Sequence, residues 1–378
     1  MHKITVFPLG NGDTLRIDMN NGQKLLFDFA NMQNPDDSSD LRIDLPTALR
    51  DDLRGAGRNY YDVVAFTHFD DDHIRGATEF FHLEHNSKFH GKGRVEIGEL
   101  WVPAAAIVEE DIDNEEARIL QAEAQYRLLR NERVKVFSRP EKLEAWLKKR
   151  GSELTGRNLV IEAGRLVPGF DKYAQGVEFF VHSPFAEACD GDTVDRNEGS
   201  LVFQAVFRWG GIDTRVMLSA DTPWDNLAAM VRVTEAHSSR HGGVDRLGWE
   251  VFKLPHHCSY LSLSSEKGKD KTEPVPEVKR LFELHGARGG IIVATSDPIP
   301  TNDTTQPPHR QAAQYYRDLM AAKGGDFIVT MEHPTKTRPE PLVIIIDTAG
   351  ATPDKRISRG TASVTTHTAP RAGRGPVR

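Results

Sequence analysis

Hydrophobic residues along the chain fall into short runs that alternate with turn residues or with amphipathic stretches. Residues 1–30 contain three such runs, separated by turns at 10–13 (Gly-Asn-Gly-Asp) and 20–22 (Asn-Asn-Gly). Glycine and asparagine in these places are typical of tight turns between antiparallel strands. The start of the chain therefore predicts a mixed or antiparallel sheet rather than a doubly wound parallel one.

The next apolar run, at residues 63–66, does not end in an ordinary turn. A helix predicted at 45–54 leads to the strand at 63–66, which is followed at once by two histidines and three aspartates between residues 68 and 73. A strand that leaves a core needs a turn but no histidines. Imidazole and carboxylate groups are ligands of zinc and manganese, so the pattern predicts a metal site. The alternative, a solvated acidic turn with incidental histidines, leaves later His and Asp positions unexplained. After Gly76 the pattern predicts a helix of about nine residues that ends near residues 82–86.

Residues 87–158 are dominated by helical patterns and are interpreted as a helical insertion. A strand is predicted at 95–103, and helices are predicted at 109–130 and 140–150. Between residues 127 and 150 there are nine basic residues and three glutamates. They form either a surface for a polyanion or a solvated helical face.

The second half of the chain repeats the alternation of strands and helices. The predicted strands are 176–182, 201–209, 214–218, 251–254, 290–295, 326–330 and 342–346, and the predicted helices are 224–236, 277–284 and 311–322. Two sets of strands, each with its own helices, indicate sheet packed on sheet with helices outside. The predicted fold is thus α/β (α+β), a four-layer αββα sandwich formed by residues 1–349.

Composition narrows the class of protein. The net charge is −7, and because residues 350–378 contribute +5, the first 349 residues carry −12. Such a body does not attract nucleic acid through its overall field, and residues 350–378 are predicted to be a disordered basic tail. Two cysteines, Cys189 and Cys258, and the lack of a long apolar run fit a cytoplasmic protein without a membrane segment.

Other strands also end in potential ligands. Asp221 follows one strand and His256-His257 follow another, as in the first motif. Asp28 lies within an apolar run, either as the partner of a buried group or as a turn residue. Three further candidates, for which ordinary capping or turn chemistry is the alternative, precede a strand or a helix: Asn197, Ser200 and His309.

The motifs Thr-His-x-Asp-x-Asp-His-x-x-Gly at 67–76, Ser-Ala-Asp at 219–221 and Pro-His-His-x-Ser at 255–259 resemble the metallo-β-lactamase superfamily. More narrowly, they are similar to the hydrolase domain of ComEC-type DNA-uptake proteins. The resemblance implies two divalent ions, Zn²⁺ or Mn²⁺. It assigns His68 and Asp70 to the first ion, Asp72, His73 and His257 to the second, Asp221 as the bridge and Asp28 as a support. In most of the superfamily a loop histidine also binds the first ion. Here Asn197 and Ser200 resemble the ComEC-like pattern that takes the place of this histidine, and His182 is a weaker candidate for the same place.

The resemblance also implies the activity of a metal-dependent hydrolase, foremost a phosphodiesterase or nuclease. Asp72 would orient the attacking water, and His256 or His309 would assist the leaving oxygen, with Asn302 as a weaker candidate of that kind. The substrate would be a phosphodiester, with nucleic acid as one candidate. Two alternatives stay open: hydrolysis of a small ester, lactone or thioester, and a non-catalytic, metal-stabilised component that binds protein partners in a defence-type complex.

Overall fold

Two β-sheets lie face to face and carry helices on their outer surfaces. The computed structural model describes residues 1–153, 159–190, 195–241 and 243–354. In chain order its strands are β1 (His2–Val6), β2 (Leu15–Asp18), β3 (Lys24–Phe27), β4 (Tyr60–Ala65), β5 (Glu96–Pro103), β6 (Val134–Phe137), β7 (Val160–Ile161), β8 (Val177–Ser183), β9 (Val202–Trp209), β10 (Ile212–Ser219), β11 (Trp249–Lys253), β12 (Gly286–Ala294), β13 (Asp326–Val329), β14 (Pro334–Thr335), β15 (Arg338–Pro339), β16 (Leu342–Asp347) and β17 (Gly350–Pro353).

The helices cover the outer faces of both sheets. They are α1 (Leu45–Gly55), α2 (Asp71–Ile74), α3 (Ala77–Phe80), α4 (Ala105–Val108), α5 (Glu115–Arg130), α6 (Glu141–Lys149), α7 (Glu187–Asp190), α8 (Trp224–His241), α9 (Pro276–Glu283) and α10 (Arg310–Lys323). Short 3-10 turns occur at Ser87–Phe89, His256–Cys258, Tyr260–Ser262 and Thr330–Glu332. Among the described residues, none of the helices is both long enough and apolar enough to cross a membrane.

Both large sheets mix parallel and antiparallel pairing. The nine-stranded sheet has the order β17-β16-β1-β2-β3-β4-β5-β6-β7, and the six-stranded sheet has the order β13-β12-β11-β10-β9-β8. The pairs among β16, β1, β2 and β3 are antiparallel, whereas β3 to β7 run parallel. In the smaller sheet β8 to β10 are antiparallel and β10 to β13 are parallel. The mixed sheet predicted from the opening hairpins is confirmed.

Three apolar clusters define the layers. One lies between the sheets, where Trp101 packs against Phe27, Phe137, Phe179 and Phe203. A second cluster joins the outer face of the large sheet to α1, α3, α4, α5 and α6, and a third joins the small sheet to α8, α9 and α10. Aromatic side chains dominate the middle cluster because opposed sheets about 10 Å apart need large groups to fill the space. The four-layer αββα sandwich is confirmed.

Two predicted helices are shorter than the sequence pattern suggested. The helix expected to start at residue 109 begins at Glu115, because the side chain of Asn114 caps it by accepting from the backbone N–H of Ala117 at 3.1 Å. The helix expected after Gly76 is only α3, since the chain then extends to pair Phe81 with Val95. In both places a local interaction overrides the helical propensity of the neighbouring residues.

The range 87–158, interpreted from sequence as a helical insertion, supplies two strands of the large sheet. β5 pairs with β4 and β6 in parallel, and α5 and α6 cover the outer face. Residues 154–158 lie outside the described residues. At the other boundary, β17 pairs with β16, and the part of the predicted tail from 355 to 378 also lies outside the described residues.

Candidate metal centre

Loops from both sheets meet at one edge of the sandwich and form a buried cluster of acidic and imidazole groups. Asp13 follows β1 and His73 lies on α2, whereas Asp221 follows β10 and His257 follows β11. One potential ligand atom from each of the four residues lies within 4.8 Å of the others, and all four side chains are buried. The structure thus brings together three predicted ligands and one residue, Asp13, that the sequence analysis treated only as part of a turn.

The loop that carries Asp13 is held in place by close packing. Gly10 has a φ of 68°, and a Cβ at Gly12 would collide with the side chain of Met32. The backbone N–H of Asp13 donates to the carbonyl oxygen of Asp72 at 2.9 Å. The first loop of the chain is therefore hydrogen bonded directly to the His and Asp motif at residues 68–73.

His73 is oriented by Asp28. The Asp28 carboxylate accepts from the backbone N–H and the hydroxyl of Thr67, both at 2.7 Å, and its Oδ2 lies 2.8 Å from Nδ1 of His73. A carboxylate only accepts, so Nδ1 carries the proton and Nε2 is turned toward the cluster. Nε2 lies 3.3 Å from Asp221 Oδ1 and 3.8 Å from Asp13 Oδ2.

His257 is oriented in the same way from the other sheet. Residues 256–258 take consecutive positive φ angles of 49°, 50° and 65°, which turn the chain sharply after β11. Nδ1 of His257 lies 2.8 Å from the carbonyl oxygen of Thr295, so it is the donor. Its Nε2 lies 3.0 Å from Asp72 Oδ2 and 3.5 Å from Asp221 Oδ2. The two imidazoles therefore approach the same carboxylate, Asp221.

The protonation of these groups is strongly coupled. Burial raises the pKa of Asp221, but the charges of His257 and His73 outweigh it and hold that pKa well below its usual range. Burial lowers the pKa of His257, whereas Asp221 and Asp72 raise it, with a net result of about 10. For His73 the charges of Asp28 and Asp221 likewise overcome burial and raise the pKa. In the metal-free protein, protons on the imidazoles balance the buried carboxylates.

The donor atoms fit a divalent ion. Within the part of the chain that the structure describes, Asp13 Oδ1, His68 Nε2 and His73 Nε2 are buried without a hydrogen-bond partner. A buried polar atom without a partner is costly, and a bound ion removes that cost. Imidazole nitrogen with carboxylate oxygen is a donor set for zinc, manganese or iron.

A buried lysine, Lys253, lies under the cluster and was not predicted. Its Nζ contacts Asp13 Oδ2 and donates to the carbonyl oxygen of Ser219 at 2.9 Å. A cavity of about 20 Å³, lined by Asp13, Asp28, Thr67 and Lys253 among others, lies beside it and is large enough for one water. A charged residue at the end of the buried strand β11 was the signal that could have revealed it.

The residues assigned to the first ion lie beside this cluster. The rings of His68 and His73 are tilted by 50° with centroids 4.0 Å apart, and His68 Nε2 lies 3.5 Å from Asp70 Oδ2. The other oxygen of Asp70 accepts from Nη1 of Arg196 at 2.7 Å. Arg196 is a further residue that the sequence analysis missed.

The loop of Asn197 and Ser200 packs between the two halves of the centre. Ser200 Oγ donates to the carbonyl oxygen of Asn197 at 2.7 Å and lies 3.1 Å from Thr222 Oγ1, next to Asp221. The backbone N–H of Leu201 donates to the carbonyl oxygen of Thr67 at 3.1 Å. Asn197 Oδ1 is buried and has no hydrogen-bond partner among the described residues.

The two histidines assigned to the leaving group lie further out. The backbone N–H of His256 donates to Asp221 Oδ1 at 3.2 Å, which places His256 at the rim. His309 contacts Tyr260, with ring centroids 4.8 Å apart, and its backbone N–H donates to the carbonyl oxygen of Cys258 at 3.1 Å. Burial lowers the pKa of both imidazoles.

The two weaker candidates take no part in the cluster. His182 is hydrogen bonded to the carbonyl oxygen of Arg246 at 2.8 Å, beside a different cavity. Asn302 is exposed.

No protein-family model and no curated protein matches the sequence. Solved structures similar to the chain include a diphosphatase from the PhnP family, with 13% identity over 87% of this chain and 95% of that chain and a TM-score of 0.33. They also include a long form RNase Z from yeast (11% identity, 85% of this chain, 43% of that chain, TM-score 0.38) and the metallo-β-lactamase GOB-18 from Elizabethkingia meningoseptica (11% identity, 84% and 88%, TM-score 0.29). At these values the layers and sheet order of the chain itself define its fold.

Proposed function

We propose that the chain is a metal-dependent hydrolase and that its substrate is a phosphodiester. The observation that carries the proposal is the buried set of Asp13, His73, Asp221 and His257, whose ligand atoms converge within 4.8 Å. The neighbouring carboxylates stay accessible, since the side chains of Asp70 and Asp72 are 37% and 32% exposed. A substrate can therefore reach the cluster from the side of the first metal-type motif.

The residues around the cluster have distinct tasks in such a reaction. A divalent ion at this place supplies a water of lowered pKa and positive charge for the phosphate oxygens. Asp72, which contacts His257 and faces solvent, orients the attacking water or accepts its proton. His256 lies at the rim, where burial lowers the pKa of its imidazole, and its ring N–H can donate a hydrogen bond to the leaving oxygen.

A groove next to the centre supports a phosphodiester rather than a small ester. It has a volume of about 840 Å³ and is lined, among others, by Trp146, by three basic side chains (Lys142, Lys149 and Arg150) and by three acidic ones (Glu109, Glu110 and Asp111). Glu109 pairs with Arg196, which in turn contacts Asp70, so the groove begins beside the centre. Cationic side chains near an aromatic ring suit a phosphate backbone with a base.

The rest of the basic segment 127–150 does not add to this surface. Arg127 is buried and pairs with Glu123, Arg130 pairs with Glu132, and Arg139 pairs with Glu144. A basic side chain that is paired with a carboxylate contributes little net positive charge to the binding of a polyanion. The polyanion-binding role proposed for this segment is therefore limited to α6 and Arg150, where Lys142, Lys149 and Arg150 line the groove.

The activity is tested with bis-p-nitrophenyl phosphate and single-stranded DNA, with Mn²⁺, Zn²⁺ or Mg²⁺ added. Cleavage is expected to need metal and to be lost in Asp72→Ala and in His257→Ala while both variants stay folded. Cleavage retained in both variants would refute the assignment of these residues. Hydrolysis of p-nitrophenyl acetate or a lactone without cleavage of either phosphodiester would indicate a small-ester hydrolase.

The groove is tested with two matched variants on α6. Lys149 lines the groove and Lys148, its exposed neighbour, does not. Lys149→Glu is expected to raise the KM for DNA and to leave the KM for bis-p-nitrophenyl phosphate unchanged, whereas Lys148→Glu changes neither. Equal effects of the two variants on DNA would mean that only the general charge of the helix matters.

A further inference from the structure

The guanidinium of Arg196 forms an ion pair with Asp70, the carboxylate that the first ion would need as a ligand. Its Nη1 donates to Asp70 Oδ1 at 2.7 Å and to the carbonyl oxygen of Phe69 at 3.1 Å. On its other side, Nε lies 2.9 Å from both oxygens of Glu109. The side chain is only 20% exposed. Arg196 is thus fixed between two carboxylates, one of which belongs to the candidate metal centre.

The two ion positions differ in their cationic neighbours. At the first position, His68 and Asp70 face each other, and Arg196 already forms an ion pair with Asp70 at 2.7 Å. At the second position, Lys253 contacts Asp13, but Asp221 keeps both oxygens directed at histidines. A guanidinium and a divalent ion on the same carboxylate repel each other, so the first position is the weaker one.

We propose that Arg196 takes the place of the first ion, so that the centre holds one divalent ion, at His73, Asp221 and His257. The guanidinium then balances the charge of Asp70, which a second ion would otherwise balance. Arginine suits this task because it stays protonated and presents several donors to a carboxylate. The inference rests on the proposed metal centre and deepens it by naming the group that replaces one of its ions.

Metal stoichiometry tests the inference without any assay of activity. Protein stripped with a chelator is titrated with Mn²⁺ and with Zn²⁺ by calorimetry, and bound metal is measured by mass spectrometry. The wild-type protein is expected to bind one ion, Arg196→Met two, and the double variant Arg196→Met/Asp70→Asn one again. Two ions of comparable affinity in the wild type, or one ion in Arg196→Met, would overturn the inference and leave the proposed hydrolase standing.

Two further variants keep the test decisive if Arg196→Met folds poorly. Asp70→Asn alone is expected to keep one ion and to lose much less affinity than the roughly 10- to 100-fold that removal of a supporting group causes. A loss of the bound ion in that variant would overturn the inference. Arg246→Met removes another partly buried arginine, which pairs with Glu178 away from the centre, and is expected to leave stoichiometry at one.

A protein that binds no ion in any variant would refute the proposed function itself, which is a different outcome from a wild type with two ions.

Discussion

Nζ of Lys253 contacts Oδ2 of Asp13, a residue 240 positions earlier in the chain, beneath the candidate metal centre. Asp13 belongs to the first loop of the large sheet and Lys253 ends a strand of the small sheet. Both side chains are buried, with exposures of 3% and 9%. The pair joins the two sheets and balances one of several carboxylates that crowd this edge.

Removing the lysine leaves that carboxylate unbalanced. Lys253→Met is expected to lower the free energy of unfolding of the metal-free protein by roughly 3–5 kcal/mol, because one partner of a buried ion pair is lost. In Lys253→Met/Asp13→Asn the buried charge is also removed, and the loss is expected to be smaller. Urea denaturation of both variants measures the difference. Equal stability of the single and double variants would show that Asp13 does not depend on Lys253.

Metal binding is expected to release protons. The pKa of His257 is about 10 and that of His73 is also raised, so both imidazoles are protonated at pH 7 in the metal-free protein. An ion that takes Nε2 must displace the proton, and its apparent affinity therefore rises with pH, by about tenfold per pH unit for each proton released. Calorimetry at pH 7 in two buffers of different ionisation enthalpy measures the release. Identical heats in both buffers would contradict it.

Asp28 is expected to control metal affinity without touching the ion. Asp28→Asn removes the charge that faces Nδ1 of His73, and we expect metal affinity to fall by roughly 10- to 100-fold. The matched control is Thr67→Ser, which keeps the hydroxyl that Asp28 accepts. Titration of the chelator-stripped proteins compares the two. A loss of affinity in Thr67→Ser as large as that in Asp28→Asn would mean that packing, and not the charge, is responsible.

Acid sensitivity is expected to depend in part on Glu123, far from the centre. Burial raises the pKa of Glu123, but His85 and Arg127 outweigh it and lower that pKa to about 2. A carboxyl with a lowered pKa stabilises the fold fully above the unfolded value of about 4.5 and loses this contribution as pH falls toward about 2. The shift corresponds to roughly 3 kcal/mol.

The matched variant for this effect is Glu123→Gln. Its stability is expected to be lower than that of the wild type at pH 6, and the gap between the two is expected to narrow steadily below pH 4.5. Urea denaturation between pH 6 and pH 2.5 follows the gap. A constant gap over this range would show that Glu123 is not the group that titrates.

Much of the fold could be predicted because the strands are apolar runs bounded by turns. The hairpin of β9 and β10, for example, turns at Gly210-Gly211, a pair with positive φ angles of 55° and 87°. β6 was missed because it has only four residues, Val134–Phe137, which include Lys135 and are paired only through the sheet. A strand of this kind has no sufficient local signal.

The predicted ligands could be found because each follows a strand, and between residues 68 and 73 they form a dense His and Asp motif. Asp13 and Arg196 could not, since each is a single charged residue whose role depends on a partner far away in the chain, and Lys253 had only one signal, its charge at the end of a buried strand. Asp13 in a Gly-Asn-Gly-Asp turn looks like any turn former. Long-range pairs such as Asp13 with Lys253, or Arg196 with Asp70, leave no periodicity to detect.

The four buried residues of the candidate centre come from both sheets, so an ion bound there would affect stability as well as chemistry. His73 is carried by the large sheet, whereas Asp221 and His257 are carried by the small one. An ion bound by all of them would link the two sheets at this edge of the sandwich. A ligand that binds only the folded state also shifts the unfolding equilibrium. The supply of metal in the surroundings would therefore govern how long the folded chain survives proteases, as well as how fast it works.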